Sequence, residues 1–522
     1  MRYPVLLLAA LGLGRLAAQE YDLVIRHGRL VDGTGRPAFS GDVAVKDGRI
    51  AAVGVVAGPG RNEIDAGGLV VAPGFIDVHT HSEDIAELPV AENFIRMGVT
   101  TIVTGNCGTS ARDIGAFFTE IEKTGVALNV ATLIGHGTVR LEVMGGSFLR
   151  PPTPEELDRM RALVERGMQA GAVGLSTGLI YLPGVFAKTD ELVELAKTVS
   201  AHGGIYASHM RYENRRIREA LDELTTIARE ARIPAQVSHI KLATPAAWGR
   251  ADEIIDYLNQ ARAAGLAITH DQYVYTASST SLRSRIPERA FEGGETKFRE
   301  RMADAAYRRS IVEEMKETLR QNRQQDLSFA VIANCRAEPG LNGKTVVEAA
   351  RILRGRDTLD DQNEVILDLQ LRGGASAVFH GMNEEDLKKF LVQPLTMIAS
   401  DAGPRKFGEA VPHPRGYGNN ARVLARYVRE QGVLSLEEAV RKMTALPADT
   451  FKLAGRGRLA PGAVADLVVF DPATVADPST YTAPHQYATG FRDVIVNGVP
   501  VIRGGGLTGE RPGRPVRLQP AQ

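Results

Sequence analysis

Short apolar runs that end on a polar residue recur through the middle of the chain, separated by longer amphipathic stretches. The runs lie in "GFIDVHTH", "TTIVTGNCG", "LNVATLIGHG", "GAVGLSTG", "GIYASHM", "AQVSHIK", "LAITHDQY" and "LTMIASDAG". Each has the length and composition of a buried parallel strand. Between them, "TPEELDRMRALVERGMQAG" and "TDELVELAKTVSAHG" have helical spacing. Both open on Thr with an acidic first turn and close at Gly, as helix ends prefer. Eight strands alternating with helices predict an α/β fold, a TIM-like (β/α)8 barrel spanning about residues 75–456.

The texture changes at both ends. "YDLVIRHGRLVDGTGRPAFSGDVAVKDGRIAAVG" alternates β-type runs with Gly turns, and "ADLVVFDP" and "FRDVIVNGVPVIRGG" return to that pattern near the far end. This placement predicts a small β-sandwich formed by residues 19–74 and 457–522 together. Between the seventh and eighth strands, the charged, helically spaced stretch 282–345 reads as an insertion. It is either a lid over the barrel mouth or a solvated excursion. The first residues, "MRYPVLLLAALGLGRLAAQE", read as a secretory signal cleaved near Ala18. Export to the periplasm is therefore expected, with a cytoplasmic protein carrying a frayed extension as the alternative.

Charge and composition narrow the function. Lys plus Arg equals Asp plus Glu at 62 each, so no basic field points to nucleic acid. No apolar run approaches the ~18 residues that span a bilayer. The two cysteines, Cys107 and Cys335, leave two readings open. In an exported protein they could form a disulfide; alternatively Cys107 is a thiolate ligand.

The polar residues that close the strands favour metal chemistry. Alternate residues of a strand share a face, so His79 and His81 project side by side. His209, His239, Cys107 and Asp401 end other strands, and barrels of this type gather their chemistry at the carboxyl ends. Four imidazoles, a thiol and a carboxylate make a zinc shell, in which Cys107 could serve one ion or bridge two. Asp401 in "MIASDAGP" is placed to accept a proton from activated water and deliver it to a leaving nitrogen. Its bland alternative is an Asx-turn. His136 and His270 also close strands and are candidates for touching substrate, whereas His202 and His485 look like helix-end and loop residues.

Together these residues resemble the N-acyl-D-amino-acid deacylases (D-aminoacylases) of the amidohydrolase superfamily. The likeness covers nearly the whole chain beyond the signal, including "APGFIDVHTH", "TTIVTGNCG", "GHGTVR", "GAVGLSTGLIYLPG", "ASHMRYEN", "VSHIKL", "YTASST", "SDAGP" and "HPRGYGNNARVLARYVRE". The resemblance implies a tightly bound zinc on Cys107, His209 and His239. It implies a second, weaker position at His79, His81 and Asp401, bridged by Cys107. It also places Tyr181, Lys241, Tyr273 and Ser279 around the substrate. Arg415 of "HPR" could be a further carboxylate ligand or could equally brace the barrel mouth. The implied reaction is hydrolysis of N-acyl-D-amino acids to a carboxylate and a free D-amino acid. Dipeptides with a C-terminal D-residue and cyclic amides of the hydantoinase or dihydroorotase type are the alternatives. Against cyclic amides, "GAVGLSTG" offers no Lys to serve as a carboxylated bridge. One departure stands out: Ala402 follows the Asp where many relatives have Gly, which implies an altered pocket floor.

Overall fold

The structure, a computed structural model, describes residues 21–519, so the expected signal lies outside the described residues. The eight expected strands all form: β1 (Phe75–Asp77), β2 (Val99–Thr104), β3 (Asn129–Thr132, resuming at Ile134–Gly135), β4 (Gly174–Gly178), β5 (Ile205–His209), β6 (Ala235–Val237), β7 (Ile268–Gln272) and β8 (Thr396–Ile398). Neighbours pair in parallel, β1 to β2 to β3 in one arc and Ile134–Gly135 through β4 to β8 in another. Leu133 N–H donates to the Thr104 carbonyl at 2.9 Å and so joins the arcs on one side.

The other seam joins β8 to β1 beyond the regular ladder. Asp401 N–H donates to the His79 carbonyl and His81 N–H to the Ala402 carbonyl, both at 2.9 Å. The Asp77 carboxylate, fully buried, accepts from the backbone N–H groups of His79 at 3.2 Å and Ser400 at 3.1 Å. Ala402 thus belongs to this seam, not to the floor of a pocket.

The helices between the strands follow their end signals, with one revision. Thr153 and Glu156 make a reciprocal capping box in front of Pro154–Gln169. Thr189 does not cap its helix, because it is the first helical residue and its hydroxyl donates to Glu223 at 3.0 Å. Strand and helix side chains such as Phe94, Phe117, Met160, Leu192, Tyr206 and Ile268 share the largest core. A second cluster gathers Ile76, Val103, Leu133, Ile205 and Met397 with Leu446, Phe451 and Val516.

Both chain ends meet in one hydrogen-bonded sheet of nine strands rather than in two separately paired layers. Val70–Pro73 from the N-terminal part pairs antiparallel with Leu467–Phe470 from the C-terminal part. The sheet curls on itself, since the turn at Gly48 touches Gly498 and accepts from Ala465 N–H. Leu23, Val45, Val469 and Ile495 fill the resulting core. Phe75, Phe470 and Phe491 pack edge-on or tilted, with centroids 5.8–6.2 Å apart, and fasten this sheet to the barrel.

The insertion is wider than 282–345. It opens at Ser278–Ser281, runs through four α-helices, and closes only at Ser376–Phe379, which pairs with Ser278–Ser281 on one side and Ala330–Asn334 on the other. Two helices, Val346–Arg354 and Leu359–Leu371, stand between the stretch that reads as an insertion and this closing strand. Phe298, Ile311, Leu319, Ile332 and Leu367 give the insertion a core of its own, with Cys335 inside it.

The seam makes a stability prediction. Asp77→Ala would strip acceptors from two buried N–H groups, at about 1–3 kcal/mol each. It should lower the melting temperature clearly more than Asp77→Asn, which keeps one acceptor oxygen; comparing thermal melts of the two variants checks this.

Candidate metal centre

His79, Cys107, His209, His239 and Asp401, with the more open His81, meet at the carboxyl ends of their strands. Three of them, Cys107 (φ 52°), His239 (φ 37°) and Asp401 (φ 53°), have a left-handed backbone. Non-glycine residues avoid that region at a cost of about 1–3 kcal/mol, and such strain collects where a site dictates direction. Around Cys107 the loop needs glycine: a Cβ on Gly108 would lie 2.8 Å from the Gly178 nitrogen.

The Cys107 sulfur stands 3.3 Å from His79 Nε2, 3.6 Å from His239 Nε2 and 3.7 Å from His209 Nδ1. Sulfur and nitrogen bound to one zinc at ~2.3 and ~2.05 Å and a tetrahedral angle lie ~3.6 Å apart. The donor set therefore fits zinc. The Asp401 carboxylate is 3.2 Å from His81 Nε2 and 3.7 Å from His79 Nε2. Three overlapping trios converge closely enough for a cation: His79–Cys107–His239, His79–His81–Asp401 and His209–Glu213–His239.

Charge reinforces this reading. Burial pushes the Cys107 thiol up, but His79 and hydrogen bonds from His209 and His239 carry it well below its usual range. It is a thiolate among imidazoles, the form that binds metal. Burial likewise opposes ionisation of Asp401, and Arg415, with its Nη1 at 2.8 Å, then His79 and His81, hold it ionised. His81 is lifted to about 10, burial being outweighed by Asp401 and Cys107.

Tyr181, Lys241, Ser279 and Asp401 wall a cavity of about 200 Å³ together with His209 and His239. Burial and the Cys107 charge keep the Tyr181 phenol protonated, and its hydroxyl is 3.0 Å from Thr280 Oγ1. Lys241 is occupied already: its Nζ is 2.6 Å from Glu213, 2.7 Å from His239 Nδ1 and 2.8 Å from the His239 carbonyl. Tyr273 and Arg415 stand behind the wall. The Arg415 guanidinium lies 4.5 Å over the Tyr273 ring and pairs with Asp401 instead of facing the cavity.

His136 and His270 do not reach the site. His136 donates its Nε2–H to the Glu191 carboxylate at 2.8 Å, and His270 is bound by Thr396 at 2.7 Å beside Arg262. The alternation along β7 explains the second case. His270 faces the helix layer, so its neighbour Asp271 faces inward, 3.5 Å from His79 Nδ1. Sequence reasoning missed Asp271, Glu213 and Arg285. Glu213 follows His209 by four residues and touches His239 at 3.1 Å; burial opposes its charge, but Lys241, His209 and His239 keep it ionised. Arg285 enters the cavity from the insertion and lies 4.9 Å over Phe379. Among the described residues no carboxylate lies within ion-pair distance of it, and its Nε has no partner.

Both cysteines are free, Cys335 sitting in the insertion core and Cys107 among the histidines, so the disulfide reading is set aside.

Residues 62–502 match the amidohydrolase family. The chain is 37% identical to the D-aminoacylase of Alcaligenes xylosoxydans xylosoxydans, over 95% of this chain and 98% of that one. It is 35% identical to the N-acyl-D-glutamate deacylase of the same organism, over 96% and 97%. Among solved structures, the N-acyl-D-glutamate deacylase from Bordetella bronchiseptica, complexed with zinc and a phosphonate mimic of the tetrahedral intermediate, superposes with a TM-score of 0.81. It shares 34% identity and is covered over 95% of this chain and 99% of that one.

Alkylation of the denatured, unreduced protein should label both cysteines. Peptide mapping should find no Cys107–Cys335 link.

Proposed function

The chain belongs to the amidohydrolase family and, within it, to the N-acyl-D-amino-acid deacylases; from that premise we propose that it hydrolyses the linear amide of N-acyl-D-amino acids in a zinc-dependent reaction. Cys107, His209 and His239 would hold one zinc. His79 and His81, with Cys107 between and Asp401 beside them, would hold a second, weaker one. When bound, zinc polarises the amide carbonyl and makes water acidic enough to attack near neutral pH.

The chain's own groups do the rest. Asp401, held ionised by Arg415, accepts the proton of the attacking water and returns it to the departing nitrogen. Tyr181 and the Ser278–Thr280 strand line the space for the substrate, and the protonated Tyr181 hydroxyl donates to an oxygen there.

The observation that carries the reading is Arg285, a guanidinium without a carboxylate partner that enters the cavity holding His209, His239 and Asp401. A half-buried cation whose Nε is sealed from solvent without a partner awaits an anion, and every N-acyl-amino acid brings an α-carboxylate. Lys241, committed to Glu213, supports the metal side instead. Fixing the carboxylate at Arg285 and the amide at the metal leaves one enantiomer's side chain directed into the cavity.

Dipeptides with a C-terminal D-residue are the second reading. A vestibule of about 670 Å³ shares Tyr181, Tyr212, Ser284 and Asn322 with the cavity and has room for an N-terminal residue in place of a small acyl group. Export of the mature protein after cleavage near Ala18 is part of the proposal; N-terminal sequencing of protein from a periplasmic fraction tests it.

Amino-acid release from matched N-acetyl-D and N-acetyl-L panels is the direct test, with release from the D series alone expected. Release from the L series would overturn the assignment. Asp401→Asn should abolish turnover while the protein still folds. Arg285→Met should lower kcat/KM across the whole D panel by roughly 10- to 100-fold, the worth of one hydrogen-bonded ion contact of about 1.5–3 kcal/mol.

A further inference from the structure

Asp271 touches two of the histidines, the His79 ring and the His239 backbone, and no step above uses it. It sits near the end of β7 and is fully buried. Among the described residues no Lys or Arg lies within ion-pair distance of it; its neighbours are N–H groups. Oδ1 accepts the backbone N–H of His239 at 2.9 Å, Gln236 donates its amide to Oδ2, and His79 Nδ1 lies 3.5 Å away. The Asp271 carbonyl also accepts Ile240 N–H at 2.8 Å, so the segment carrying His239 is tied to β7 at two points.

We propose that Asp271 is a positioning residue that holds the His239 backbone in its left-handed turn and fixes the proton of His79 on Nδ1, leaving Nε2 free to bind metal. The geometry on the far side of the His79 ring agrees. Nε2 faces the Cys107 sulfur at 3.3 Å and Asp401 Oδ1 at 3.7 Å, where a lone pair is useful and a proton is not. A carboxylate has no hydrogen to offer, so the imidazole nitrogen beside it must be the donor, and the proton that yields to metal is the one on Nε2. The partner of the far nitrogen thereby sets the tautomer of the ligating one. A buried carboxylate with no cation beside it is costly, and holding two histidines at once is a role that only an acceptor at this point could fill.

Asp271→Asn separates positioning from folding. Its Oδ1 still accepts His239 N–H. Gln236, whose Oε1 has no partner, can turn its amide and accept from the new NH2 group. The remaining hydrogen of that NH2 then points at His79 Nδ1 and drives the imidazole proton to Nε2, where it blocks the lone pair.

This inference rests on the zinc reading, and the two are tested apart by measuring zinc affinity through competition with a chromogenic chelator. The expected result is tight binding by the wild-type protein and a ten- to hundredfold loss in Asp271→Asn, with the metal-free melting temperature unchanged. Excess zinc should restore part of the activity. A wild-type protein without tight zinc would sink the metal reading itself. Tight wild-type zinc with an unaltered Asp271→Asn affinity would sink only the positioning role. Should the variant not fold, ¹⁵N-histidine NMR of the zinc-loaded wild type decides, using the resonance that His79→Gln lacks. A proton on Nδ1 supports the proposal, and metal on Nδ1 overturns it.

Discussion

The joining of the first and eighth strands is the interaction on which the rest depends. His79 and His81 follow one strand and Asp401 the other, more than three hundred residues later in the chain. Two backbone hydrogen bonds at 2.9 Å and the buried Asp77 carboxylate bring those segments into register. Three of the four bonded atoms belong to His79, His81 and Asp401 themselves and the fourth to Ala402 beside them, so the act that completes the ring of strands also sets the spacing of the donors. No separate loop has to be ordered to assemble this half of the centre.

Backbone distortion assembles the rest and turns Asp401 with it. Strand geometry delivers Cys107, His239 and Asp401 near the axis, but only left-handed turns aim all three at a common point. The strain is tolerable because neighbours bind the same segments: Asp271 and Lys241 hold His239 through its N–H and carbonyl, and the seam holds Asp401. Charge works in the same direction. A thiolate and an ionised carboxylate are stable in a buried place only where cationic groups converge, and the imidazoles and Arg415 supply them.

Much of this could be read from the residues. All eight strands follow from apolar runs with polar ends, because buried parallel strands leave little room for other patterns. The six donors were legible because each closes such a run. What stayed hidden has physical causes. Adjacent strand residues face opposite ways, so His270 drew notice while Asp271 took the inward position. Glu213 lies in a polar stretch after the fifth strand, and nothing local tells that it folds back on His239. Arg285 belongs to the insertion, whose closing strand at Ser376–Phe379 pairs with a segment almost a hundred residues earlier. No periodicity records a contact at that distance. Cys335 shows the converse: two cysteines in one chain suggested a bond, and only the packing reveals separate environments.

The insertion's separate core has a wider consequence. Every metal donor sits on the barrel, whereas Ser279, Arg285, Phe329 and Phe379 reach the cavity from a unit packed around its own side chains. Bond-breaking and substrate choice are therefore lodged in different blocks of the molecule. Substitutions that reshape the insertion wall can change which acyl amino acid is accepted without disturbing the ligands. A catalytic centre of this construction can be held constant by lineage after lineage while its clientele drifts.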